Sequence, residues 1–571
     1  MLFKKAILAF NDQSVELPPN KMTFFDELYV DFKEVDKGGF KTYHLVIHPK
    51  QPIVINNLEL IFDETYSSNS GTRIFCNGYQ SWSESREYAL NEKIPKLKFW
   101  AKSKRYFGDE HIQEIPRGKG IFHSWTYTHI RHNNEFAFAG SLKENAAFTY
   151  FIHDTNTHQL TVRKDCANFE LTHSYPILDI YVSNQDEQKS YNNWFTEMEL
   201  APLRGKPSTG WTSWYHYFTD ISEDIILKNL NTFSEKNVPL DYFQIDDGYQ
   251  THVGDWVNIK SSFPNGMAPI AQKIKQANYK PGIWLAPFIC SEHSDIFKQK
   301  KHWLLKDENG NPISLGKIKY WNGHFYALDF YHKEVKDYLM FVIHTFLQKW
   351  GFDFIKFDFL YAACIAPKKN QTRGQIMHDA MEFLQIQTGN KLSLGCGVPL
   401  GSAFGKVDFC RIGTDVHLAW ENKLERFHGN RERVSTLLSL RSTLGRWQLN
   451  GKVFYNDPDV FILRKEKNKL TPTQQYTLLV INALCGNLIF TSDFTANYSA
   501  EQWSEFDWIF ELQKGEVKEV QNLTNDKYLI LFTLNEKSLA AACNLSNKKA
   551  SIMVKNQMIG LEPFETFVLN I

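Results

Sequence analysis

Along the first 200 residues, apolar and polar positions alternate in short runs. YHLVIH (43–48), EFAFAGSL (135–142) and FTYFIH (148–153) are separated by turns containing Asn, Asp, Ser and Gly. A period of two sends successive side chains to opposite faces, so these runs predict half-buried β-strands. No long helical period is evident before 191–200, and the whole stretch reads as a β-sandwich.

The pattern changes after Lys206-Pro207. Eight apolar runs follow: 209–218, 240–249, 279–288, 352–360, 391–399, 408–416, 452–460 and 487–494. Helical periods at 223–236, 266–278, 333–350, 373–387, 430–444 and 473–485 lie between most of them. Strands alternating with helices predict βαβ units around a parallel sheet, and eight of them fit a (β/α)8 TIM barrel. A doubly wound open sheet is the alternative, but no GxGxxG follows any run. From about 500 the β texture returns in 527–534, 538–545 and 565–571. The expected layout is therefore an N-terminal β-sandwich over 1–200, a barrel over 201–497 and a small C-terminal β-sandwich over 498–571.

Charge appears where these strands end. FIKFDFLY (354–361) carries Lys356 and Asp358 inside an apolar run, although burying an unpaired ion costs several kcal/mol. The second run ends in Asp246-Asp247, the sixth in Arg411 and Asp415, the seventh in Asp457-Pro458-Asp459 and the eighth in Asp493. A single Asp there could be a turn former; five acidic strand ends in register point to a barrel mouth, where such folds place their chemistry. By strand parity Lys356 and Asp358 share a face, and Arg411 and Asp415 share a parity across Gly413. Each Asp is then expected to have a cation beside it that lowers its pKa. One ionised carboxylate as nucleophile and one protonated carboxyl as acid meet the requirement of glycoside hydrolysis. Two readings compete: Lys356 as a Schiff-base nucleophile, and a buried ion pair without chemistry.

Composition narrows the class. Lys+Arg and Asp+Glu are both 64 in 571 residues, which argues against a phosphate-tracking nucleic-acid binder. Eight cysteines show no zinc-type spacing and suggest reduced thiols. The N-terminal apolar run is too short for a signal sequence and no stretch approaches a membrane span, so a cytoplasmic location without membrane partners is expected.

The ordered motifs GWTSWYHYF, FQIDDGYQ, GIWLAPF, FIKFDF and CRIGTDV, with NGYQSW at 77–82, resemble the melibiase-type α-galactosidases of glycoside hydrolase family 36. The resemblance implies a retaining exo-α-galactosidase with Asp358 as nucleophile and Asp415 as acid/base. It implies Asp246 and Asp247 on the sugar's 4- and 6-hydroxyls, and Lys356 on the ring hydroxyls. It gives Arg411 the orienting of the acid/base region and the 2-hydroxyl side, and puts Trp284, Cys396 and Gly397 in the pocket, with Tyr215, Trp214 and Trp82 as walls. No metal or organic cofactor is implied, and the α-galactoside is the expected partner; a homo-oligomer is possible. Thr212 stands where the family suggests cysteine, and LGCGVPLGSAFG departs from the Ser-Gly-Gly pattern of larger members. That loop keeps open an α-N-acetylgalactosaminidase or a transglycosylase, with a non-catalytic carbohydrate-binding protein as the reading of another class. His216, His252, His293 and His324 receive no role.

Overall fold

The computed structural model describes residues 1–65, 71–104, 108–132, 135–524 and 526–571. Two antiparallel sheets fill the N-terminal part, and their apolar faces enclose a core that includes Leu8, Val30, Leu45, Leu60 and Phe151. The alternation seen in the sequence is the alternation of these faces: in Ile53–Asp63 every second side chain is buried for most of the strand.

The eight central runs form one parallel sheet. Its strands are Ser208–Thr212, Tyr242–Ile245, Lys280–Leu285, Phe354–Phe357, Leu392–Gly395, Phe409–Arg411, a split seventh (Tyr455–Asp457 and Val460–Phe461) and Leu488–Thr491. Neighbours in sequence are neighbours in the sheet, and the eighth pairs with the first. The two pieces of the seventh strand bond to the sixth and to the eighth, so the sheet closes on itself through Pro458-Asp459. The intervening helices carry local start signals. Ser222 caps Glu223–Glu235 by accepting from the Ile225 N–H, and Ile226, Leu230 and Phe233 at i, i+4 and i+7 are buried. Thr471 and Gln474 form a capping box on Pro472–Cys485.

The chain ends in a four-stranded antiparallel sheet packed with the hairpin Ala550–Val554/Gln557–Leu561. The β texture returns at Glu516, later than expected, because the helix Ala500–Leu512 comes first. Its capping box, Ser499 with Gln502, is a start signal present in the sequence. A second unexpected element is the hairpin Ser314–Ile318/Gly323–Ala327 between the third and fourth barrel strands. One continuous hydrophobic cluster runs from both N-terminal sheets (Phe75 in one, Trp125 in the other) through the barrel to Phe532.

Candidate active site

Acidic groups cannot be accommodated in the middle of a packed barrel, so they collect where the strands stop. A cavity of about 310 Å³ lies there. Asp246, Asp247, Trp284, Lys356, Asp358 and Asp415 line it, with Trp214 and Trp82 as expected wall residues. Trp82 comes from the N-terminal part of the chain. Its loop is tied to the barrel by buried Arg446, which donates to the Asn77 side chain at 2.9 Å and to the carbonyls of Ser81, Gln80 and Ile412 at 2.7, 3.1 and 2.8 Å.

Asp358 sits just past its strand. The Trp284 indole N–H donates to its Oδ2 at 2.8 Å, and the Phe359 backbone N–H to its Oδ1 at 2.9 Å. The chain turns here because Phe359 takes a left-handed φ of 53°. Lys356 was expected to neutralise Asp358. It lies instead 2.9 Å from Asp246 Oδ2 and 4.0 Å from Asp358 Oδ2. Burial therefore dominates, and the Asp358 carboxyl is raised above its ordinary pKa; Lys356 and the indole bond oppose the rise, while Asp415 and Asp246 add to it. The expected lowering by an adjacent cation fails because one ammonium serves two carboxylates. Asp247 is also raised, to about 6, by burial, and is held by Trp321 Nε1 at 2.7 Å and Gln250 Nε2 at 2.6 Å.

Arg411 is buried and does not line the cavity, so a direct contact with the sugar is not what this arrangement provides. Its guanidinium is shared among Asp457 at 2.8 Å, Asp415 at 2.7 Å and Asp459 at 2.9 Å. It fixes Asp415, whose side chain keeps 33% exposure to the cavity. Strand parity does not reach that far, since the strand stops at Arg411; the ion pair does the aligning. Tyr215 likewise stands behind the wall, its hydroxyl donating to Asp459. Cys396 and Gly397 are not on the cavity surface either. The Trp82 indole donates to Cys396 Sγ at 3.1 Å, and a Cβ on Gly397 (φ 61°) would lie 2.9 Å from the Trp82 ring. The pair seats Trp82, and Trp82 forms the surface. None of His216, His252, His293 and His324 lines the cavity.

Two segments escaped the reading of the sequence. The inserted hairpin supplies Leu315, Tyr320, Trp321 and Phe325 to the wall. Its turn, Asn322-Gly323 between apolar runs, is a hairpin signal that could have been read. The loop after the sixth strand adds Thr414, Asn430, Glu432 and Arg433; the helix expected from 430 starts only at Thr436, capped by Ser435, so 430–435 stay in the loop and reach the cavity. Asp459 was noted only as a strand end; burial raises it to about 7.

Residues 203–437 match the glycosyl hydrolases family 31 TIM-barrel domain. The fold was also compared with solved structures. It superposes on the Thermus thermophilus α-galactosidase TtGalA, determined with p-nitrophenyl α-D-galactopyranoside, with a TM-score of 0.70 and 23% identity, over 94% of this chain and 98% of that one. The family 36 α-galactosidase AgaA of Geobacillus stearothermophilus gives 0.65 and 12%, over 95% and 80%. In sequence, α-galactosidase Mel36A of Lactobacillus acidophilus is 27% identical over 155 residues, 26% of this chain and 20% of that protein. The chain resembles the family 36 α-galactosidases. AgaA itself is 24% identical over 153 residues, again 20% of its length. The chain thus matches about a fifth of the length of these curated relatives. The solved structures, below 25% identity, establish the shared fold.

Proposed function

We propose that the protein is a retaining exo-α-galactosidase. The carrying observation is that Asp358 and Asp415 enter one cavity under different restraints, Asp358 held by two N–H donors and Asp415 by a guanidinium. Asp358 attacks the anomeric carbon and Asp415 protonates the departing oxygen, giving a covalent β-galactosyl-enzyme; Asp415 then takes a proton from water and α-galactose leaves. The crowd of carboxylates at Asp246, Asp358 and Asp415 favours the positive charge that develops on the sugar ring in the transition state. Asp246, with Lys356 beside it, and Asp247 offer charge-assisted hydrogen bonds to hydroxyls, while Trp82, Trp284 and Trp321 supply flat apolar walls. Lys356 as a Schiff-base nucleophile fits less well: its ammonium is raised to a pKa far above neutrality by Asp246 and Asp358, despite its burial. The boundaries 1–200, 201–497 and 498–571 belong to the same proposal. No helix among the described residues is long and apolar enough to cross a membrane.

The test is hydrolysis of p-nitrophenyl α-galactoside beside the α-N-acetylgalactosaminide. Asp358→Ala should lose about 10³-fold or more in kcat, and azide should restore turnover and yield β-galactosyl azide. Proton NMR of the first product should show the α anomer. A β first product would mean inversion; preference for the N-acetyl sugar would move the substrate assignment to the wall formed by Trp82 over Cys396.

A further inference from the structure

Outside the cavity lining, His302, His332 and Glu334 bring one ligand atom each within 4.8 Å of one another. They come from two elements. His302 lies in the turn Lys301–Trp303 before the hairpin, and His332 and Glu334 lie at the start of the helix Lys333–His344 after it. His302 Nε2 is 3.5 Å from Glu334 Oε2, and the two imidazole rings stand 5.3 Å apart at 63°. The glutamate is already aimed: the Trp303 indole N–H donates to its Oε2 at 3.0 Å. His332 Nδ1 is buried and has no hydrogen-bond partner.

We propose that these three side chains bind a divalent transition metal of the zinc class, with water completing the shell. Two imidazoles and one carboxylate are a common zinc donor set. Metal–nitrogen bonds of about 2.0–2.1 Å place tetrahedral ligand atoms roughly 3.4 Å apart, close to the 3.5 Å already present. His302 and Glu334 are each about half exposed (51% and 50%), so small rotations can close the remaining distance. The surroundings also select the ion. Lys300 Nζ lies 3.4 Å from Glu334 Oε2, and the helix N-terminus carries partial positive charge. Both oppose a hard cation held by charge alone, such as Mg²⁺ or Ca²⁺. They are overcome only by a metal that bonds well to imidazole nitrogen.

The position gives the metal a task. Residues 302 and 332 flank the segment that holds Leu315, Tyr320, Trp321 and Phe325 in the cavity wall. The ends of that segment are joined by the Leu305 N–H on the Ala327 carbonyl at 2.9 Å and the Asp329 N–H on the Trp303 carbonyl at 2.7 Å. A metal across His302 and His332 adds a clamp at the base of the loop and restricts its opening. This inference stands whether or not the glycosidase reading does.

The experiment is titration calorimetry of the metal-free full chain with ZnCl2, repeated with MgCl2, for wild type, His302→Ala and Glu334→Gln. Titration with Co²⁺ should give the visible absorption of a four- or five-coordinate ion. Wild type should bind one Zn²⁺ and no Mg²⁺. Each variant should bind Zn²⁺ at least tenfold more weakly and lose the Co²⁺ band. The side chains are exposed, so metal-free melting temperatures should match; the rise with Zn²⁺ should be confined to wild type. Equal zinc affinity in wild type and His302→Ala, or no binding by wild type, overturns the proposal.

Discussion

At the scale of single residues, the site is organised by competition for a few cations. Lys356 is closer to Asp246 than to Asp358, and Arg411 is divided among three carboxylates. Asp459 is the member of that group with room to titrate near neutrality, at about 7, and Asp415 is among the charges that raise it. Asp459→Asn removes that titrating carboxyl, so an inflection of the kcat/KM profile near pH 7 should disappear; an unchanged inflection would show that Asp459 does not set it. Glu432 gives a stability version of the same test. Burial raises its carboxyl from 4.5 to about 7, so the folded state holds a proton that the unfolded chain releases. Its contribution to stability therefore falls as pH rises from about 4.5 to 7. Urea unfolding at pH 5 and pH 8 should show Glu432→Gln gaining on wild type at the higher pH. For Trp321→Phe, the lost N–H leaves one oxygen of Asp247 without its donor. KM for the aryl galactoside should rise roughly tenfold, the effect of about 1–3 kcal/mol for an unsatisfied charged acceptor.

At the scale of elements, what could be read from the sequence was whatever repeats locally. All eight barrel strands and six helices follow from runs and periods, and the acidic residues beyond the strands follow from the rule that such folds act at those ends. Asp246, Asp358 and Asp415 were singled out that way, helped by the family likeness, and the structure brings them to one cavity. For Arg411, the expected orienting of the acid/base region agrees with its ion pair to Asp415, while the expected sugar contact does not, because its other partners lie at 457 and 459 and only geometry reveals that its N–H groups are already used. Cys396 was misjudged for the same reason: Trp82 is 314 positions away and covers it. The helix Ala500–Leu512 and the hairpin turn at Asn322-Gly323 carried signals that were missed, whereas Asn430 and Glu432 were read into a helix that begins only at Thr436, because the Ser435 cap sets its start. Gly397 tests how these elements fit. In Gly397→Ala the new methyl meets both a left-handed φ and the Trp82 ring, so Trp82 should shift and its fluorescence change with substrate.

At the scale of the molecule, the cavity belongs to no single region. Gln80 and Trp82 come from the loop between the N-terminal strands Arg73–Cys76 and Arg86–Ala89, the carboxylates from the barrel and Trp321 from the insert. The hydrophobic cluster is continuous across these parts. Differential scanning calorimetry should accordingly show the barrel and the N-terminal sheets melting in one transition, with loss of activity in the same range; an N-terminal transition well below it would refute that coupling. Arg446 is the joint: replacing it with methionine strands buried carbonyls on both sides and should cost about 3 kcal/mol or more, each unmet acceptor contributing about 1–3 kcal/mol.

That joint also sets a timetable for a nascent chain. Asn77 and Arg446 are separated by 369 positions. At a synthesis rate of roughly 5–20 residues per second, the loop carrying Trp82 leaves the ribosome about 20–70 seconds before the guanidinium that secures it. During that interval the loop's carbonyls and the Trp82 ring face water or a chaperone, and the half-built wall is a sticky surface. Maturation of the cavity is consequently a late event, and slowing translation between these two positions should lengthen the period in which the chain depends on assistance.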